Sequence, residues 1–167
     1  AVRASLLCRE AIQEARNIMN DLQPPVLDEL GLAPAMEEDL QRLAEDVGCQ
    51  VDQALSLPRR PPRAMELTLY RIFRESIVNI RRHAQASRIR VNLQEESGGI
   101  RLEIEDNGVG FDMGHALDKK RVGGLLSMRR RAELAGGTWA IESQPTRGAK
   151  VRVWVPQSSP VPPLGQR

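Results

Sequence analysis

At 167 residues the chain has the length of one ordinary domain with room for a helical appendage, enough to bury a core without disulfide or metal support. Its 24 Lys and Arg against 22 Asp and Glu leave a formal charge of +2, and 28% charged beside 41% hydrophobic residues describes a folded soluble protein whose charge gives no reason to expect nucleic acid. Cys8 and Cys49 have no metal-ligand spacing and read as free thiols, and no apolar run reaches the ~18 residues of a membrane span. The start, Ala1-Val2-Arg3-Ala4, has neither a Met nor the apolar stretch of a secretory signal, so we expect a piece of a longer protein.

Ala4, Cys8, Ala11, Ala15, Ile18 and Leu22 recur at intervals of four and three, the seam of a helix that packs on another helix. Pro24-Pro25 ends that helix, and Val26 to Gly31 reads as a connector. A second helix runs from about Pro34 to Val47, with Gly48 as its stop. Gln50 to Leu57 alternates as a strand, and the three prolines within Pro58 to Pro62 make the next segment a loop with solvated arginines. Leu67, Leu69, Tyr70, Phe73, Ile77 and Ile80 give a long helix from about Ala64 to Ala84 its buried face. Arg88 to Gln94 and Ile100 to Glu105 alternate as a hairpin turned at Ser97-Gly98-Gly99. Asp106 to Arg121 is Gly-rich and irregular, Gly124 to Ala135 is helical, and Thr138 to Ser143 and Lys150 to Val155 are two further strands. The tail beyond Pro156, rich in Pro, Ser and Gly, has the composition of a disordered segment.

Three separated elements carry chemistry. On the long helix, Glu75, Asn79, Arg82 and His83 fall at i, i+4, i+7 and i+8, so one face presents a carboxylate, an amide oxygen and cations. An amide oxygen suits Mg²⁺, which completes its shell with water and phosphate oxygens, and the cations suit phosphate. In Asp106-Asn107-Gly108-Val109-Gly110-Phe111-Asp112 a strand ends in a carboxylate and turns on two glycines, where the carboxylate can accept from an exocyclic amine such as that of adenine. In Gly123-Gly124-Leu125-Leu126-Ser127-Met128 a helix start offers free N–H groups, a natural phosphate site.

In order and spacing these segments resemble the N, G1 and G2 boxes of the ATP-binding domain of two-component sensor histidine kinases: Glu75-x-x-x-Asn79 with Arg82-His83-Ala84, the Asp106 to Asp112 run, and Gly124-Leu125-Leu126-Ser127-Met128-Arg129-x-Arg131-Ala132. The Met-Arg-x-Arg-Ala ending, the short lid, and Asp21-Leu22-Gln23-Pro24-Pro25-Val26-Leu27-Asp28-Glu29-Leu30-Gly31-Leu32 are similar to the nitrate/nitrite sensor group, which pairs with response regulators carrying a LuxR-type helix-turn-helix. The resemblance implies an α/β sandwich with helices on one face of a mixed sheet. It divides the chain into residues 1–31 as the second dimerisation helix and linker, 32–156 as the ATP-binding catalytic domain and 157–167 as the tail. It implies Mg²⁺ on Asn79, phosphates reached by Arg82 and His83, the adenine amine read by Asp106, and Glu75 as a catalytic carboxylate, polarising or Mg²⁺-orienting. Gly108, Gly110, Gly123, Gly124, Leu125, Gly148 and Ala149 would shape the ATP pocket. Homodimerisation in the full-length parent, a cytoplasmic location with any membrane anchor in the missing N-terminal part, and no direct nucleic acid follow from the same resemblance.

The chain departs from the family pattern in two places. Val122 stands where the G2 box has its first glycine, with Gly123 displaced by one, and Ala149 stands where a hydroxyl-bearing Thr is usual near the adenine. The only histidines, His83 and His115, are each followed by Ala, so the phosphoacceptor His is expected on an upstream helix. Two other readings remain: a dimerising signalling module that binds nucleotide weakly, and an ATPase of the gyrase or chaperone type.

Overall fold

The computed structural model describes residues 25–112 and 122–157. The expected helix from Ala4 to Leu22, the lid segment 113–121 with His115, and the tail from residue 158 lie outside the described residues. In chain order the elements are α1 (Pro25–Leu30), α2 (Leu32–Val47), β1 (Gln50–Ser56), α3 (Arg63–Asn79) continued by a π-helical turn (Ile80–Ala84), β2 (Arg88–Glu96), β3 (Gly99–Asp106), α4 (Val122–Leu134), β4 (Thr138–Ser143) and β5 (Ala149–Pro156).

The strands form one mixed sheet in the order β1-β2-β3-β5-β4. β1 runs parallel to β2, with Val51 opposite Ile89, and the other pairs are antiparallel, Ile104 lying opposite Val91 on one side and Val151 on the other. This is the α/β sandwich the sequence implies. Because strand side chains alternate in direction, Ile89, Val91 and Leu93 of β2, Ile100, Leu102 and Ile104 of β3, and Val151, Val153 and Val155 of β5 all turn to one face and are buried. The helices cover that face with Met36, Leu40 and Leu43 of α2, Leu69, Ile72, Phe73 and Ile77 of α3, and Met128 and Ala132 of α4. The opposite face carries charges in pairs, such as Lys150 with Glu103 and Glu105 at 3.5 and 3.4 Å and Arg101 with Glu96 at 2.6 Å. Exposed pairs of this kind contribute little to stability.

The connector expected over Val26 to Gly31 is instead a helix, and the reason is that proline is tolerated at a first helical position, where Pro25 stands. Leu27 of this helix is fully buried in the core, so α1 is fixed to the domain. A second tie was not expected: Arg60, in the proline-rich loop, is not merely solvated. Its guanidinium bonds both oxygens of Glu66 at 3.0 Å and donates to the carbonyls of Leu27 and Asp28 at 2.8 and 3.1 Å. Glu66 is 1% exposed, and such a carboxylate must be paired. Arg63 adds an ion pair to Asp28.

Between α2 and α3, Asp39 accepts from the Tyr70 hydroxyl at 2.7 Å and from Arg74 at 2.9 Å. Burial, together with the Asp39 carboxylate, pushes the Tyr70 hydroxyl well above its ordinary pKa. Tyr70→Phe therefore leaves one oxygen of a nearly buried carboxylate without its donor, and chemical denaturation should show a loss of about 1–3 kcal/mol. A loss below a few tenths would mean that water replaces the hydroxyl.

Candidate functional site

β3 ends at Asp106, and its last residue pairs with Ala149, the first of β5. The Asp106 side chain turns to the helix-covered face and is 7% exposed. Its Oδ1 accepts the Gly108 N–H at 2.8 Å, and the Ala149 N–H also reaches the carboxylate. Burial raises its pKa, opposed by those two N–H groups, while neighbouring Glu105 adds to the rise.

The turn after Asp106 is gripped from two sides. The Val109 N–H donates to the Ala84 carbonyl at 2.7 Å, and Gly108 lies so close to that carbonyl that a Cβ there would be driven into it. Across the turn, Gly110 holds a φ of 59° against the carbonyl of Gln144, and Thr146 donates to Val109 at 2.6 Å. Gly148 lies against the Asp106 carbonyl, and the Ser143 hydroxyl accepts from Phe111 N–H and donates to the Gly148 carbonyl. Asn107 spends its side chain on the Ser87 and Arg88 N–H groups and the Ser87 hydroxyl, so it is a strut. The end of α3 and the carboxylate of β3 are thereby held in one frame.

That frame walls a cavity of about 390 Å³. Ser76, Asn79, Ile80, His83 and Ala84 come from α3 and its π-turn, Ile104, Asp106, Val109, Gly110, Phe111 and Asp112 from β3 and its turn, Leu125 and Met128 from α4, and Ile141, Ala149 and Val151 from β4 and β5. The largely apolar lining, with the Asp106 carboxylate buried in it, suits a flat ring bearing an amine.

Of the residues singled out in the sequence, Asn79, His83, Asp106, Gly110, Leu125 and Ala149 line the cavity together. Gly108 and Gly148 support its backbone from behind. Arg82 does not share the face expected for it. Over Ile80 to Ala84 the helix takes more than 3.6 residues per turn, which carries Arg82 further round from Asn79 while His83 stays above it. Glu75 is likewise not among the lining residues; its carboxylate lies against Gly124, in the first turn of α4. Gly123 is exposed and touches nothing that a Cβ would meet. Ser76 and Met128, which sequence reasoning did not assign, both line the cavity, with the Ser76 hydroxyl 3.3 Å from the Met128 sulfur. Their signal was helical phase, since Ser76 stands three residues before Asn79 on the same stripe.

A two-layer sandwich with this cavity between its Gly-turn and a helix start defines a class. Residues 64–159 match the family of histidine kinase-, DNA gyrase B- and HSP90-like ATPases, and the chain belongs to that family. The relatives it matches are named as histidine kinases. It is 31% identical over 153 residues to the signal transduction histidine-protein kinase/phosphatase DegS of Brevibacillus brevis, covering 90% of this chain and 39% of that one. It is 35% identical over 147 residues to the oxygen sensor histidine kinase NreB of Staphylococcus carnosus, covering 87% and 42%. The chain thus spans about two fifths of these relatives. Among solved structures, the blue-light activated histidine kinase of Erythrobacter litoralis shares the fold with a TM-score of 0.64 at 17% identity, over 77% of this chain and 42% of that one. The histidine kinase AdeS of Acinetobacter baumannii does so with 0.62 at 18% identity, over 93% and 83%. No helix among the described residues is long and apolar enough to cross a membrane.

Proposed function

We propose that the cavity binds ATP as its magnesium complex and presents the γ-phosphate to a histidine on a segment outside this chain, from which the phosphoryl group passes to an aspartate of a response regulator. One observation carries the reading: Asp106 sits at the inner wall of an apolar cavity whose rim holds Asn79 and His83. Asp106 would accept from the adenine amine, and His83 would reach the phosphates. Among the described residues no cluster of three His, Cys, Asp or Glu could hold a cation unaided, whereas the single amide oxygen of Asn79 fits Mg²⁺, which would neutralise phosphate charge and take its remaining ligands from phosphate and water. The protein's part is positioning and charge neutralisation. Gly124 admits the Glu75 carboxylate at the α4 start, so Glu75 acts here by fixing that helix against α3, and Arg82, exposed and off the cavity wall, is a weaker candidate for phosphate than His83.

For the longer protein, the resemblance of Asp21 to Leu32 supports residues 1–31 as part of a dimerisation hairpin and linker, 32–156 as the catalytic domain and 157–167 as a tail, with a homodimer, a cytoplasmic setting and a regulator of the LuxR-type DNA-binding kind as partner. Calorimetric titration with Mg·ADP tests the core of the proposal, with modest affinity expected. A folded protein that gives no heat at millimolar nucleotide favours the weakly binding signalling module. Sedimentation at several concentrations tests the hairpin: weak self-association is expected, lost in Leu22→Glu, and a dimer that survives this change places the interface elsewhere.

A further inference from the structure

The base end of the cavity is rich in acceptor and poor in donor. Asp106 offers a carboxylate, and the Gly108 N–H is already spent on its Oδ1. The Ser76 hydroxyl donates to the Ile72 carbonyl at 3.0 Å. Ala149 itself puts only a methyl group on the wall.

Adenine and guanine show different edges to such a wall. Adenine presents its amine, a donor, beside N1, an acceptor. The carboxylate takes the amine, and no side chain on the described wall near Asp106 has a free donor for N1. Guanine presents N1–H and its amine, two donors side by side, which match the two oxygens of a carboxylate, and it leaves O6 unpaired instead. Neither base satisfies its whole edge. A site discriminates strongly only where a wrong ligand leaves the protein's own buried polar groups unpaired, and here Asp106 is paired by either base.

We propose that Ala149 relaxes purine selection, so that the site takes guanine as well as adenine nucleoside diphosphates. The inference rests on the nucleotide reading above and would make Ala149 a specificity-determining position. The test is calorimetric titration of the 167-residue chain with Mg·ADP and Mg·GDP in parallel, repeated on Ala149→Thr, and on Ala149→Ser should the threonine variant melt early. In the native chain GDP is expected to bind within about tenfold of ADP. In the hydroxyl variants ADP should tighten about 3- to 10-fold, the worth of one neutral hydrogen bond, with GDP unchanged or weaker. A native preference for ADP above about tenfold overturns the proposal and leaves the nucleotide reading intact, as does a hydroxyl variant that shifts both ligands alike. Absence of ADP binding overturns the nucleotide reading itself.

Discussion

Asp106→Asn is expected to weaken Mg·ADP binding about 10- to 100-fold while leaving the fold intact. The asparagine oxygen keeps the Gly108 N–H bond that Oδ1 makes, so its NH₂ takes the place of the other oxygen, where it meets the adenine amine donor to donor. Two buried donors without an acceptor cost about 1–3 kcal/mol, which sets that range. The same change should leave the empty protein at least as stable at pH 7, because burial raises the Asp106 pKa and its ionised form is therefore a cost to the folded state. As the pH falls through the raised value toward the ordinary 3.8, the native carboxyl takes up its proton and that cost vanishes, so the stability advantage of the variant should shrink in acid, and native nucleotide affinity should fall over the same window. Calorimetry and urea melts at pH 7 and pH 4 decide both halves. Wild-type affinity in the variant would remove Asp106 from base recognition.

Phe73→Ala should be the most damaging single change to stability, at about 3–5 kcal/mol in urea unfolding. Phe73 is fully buried on the sheet-facing side of α3, its ring 6.2 Å from that of Tyr70, among Leu69, Ile72 and Ile77. Domains of this size hold only about 5–15 kcal/mol in total, so the variant should sit near its unfolding threshold. Since α3 also carries Asn79 and His83, saturating nucleotide should recover part of the loss by mass action. A cost under about 1.5 kcal/mol would show that neighbouring chains close over the cavity.

All five strands were legible to within about two residues, and alternation was clearest in β2 and β3, where one face is buried and the other wet, whereas no residue of β1 is buried. Of the residues in the three boxes, Asn79, His83, Asp106, Gly110 and Leu125 lie on the cavity wall, while Glu75, Arg82 and Gly123 do not. What stayed hidden has local causes. α1 was obscured by Pro24-Pro25, which reads as a break although a proline can also open a helix. The π-turn has no residue signature at all, and it alone separates Arg82 from His83. The Arg60 tie was recoverable from Glu66, an acidic residue three positions before Leu69 and four before Tyr70 on the apolar stripe, since a carboxylate in that phase demands a nearby cation.

The same tie has a mechanical meaning. Arg60 grips α1 through two main-chain carbonyls and grips α3 through Glu66, while Leu27 is seated in the core between them. A torque applied to the chain at Pro25 is therefore delivered to the root of the helix that ends in Asn79 and His83, with no free joint at Gly31 to dissipate it. α1 therefore turns with the domain, as a short lever arm on α3.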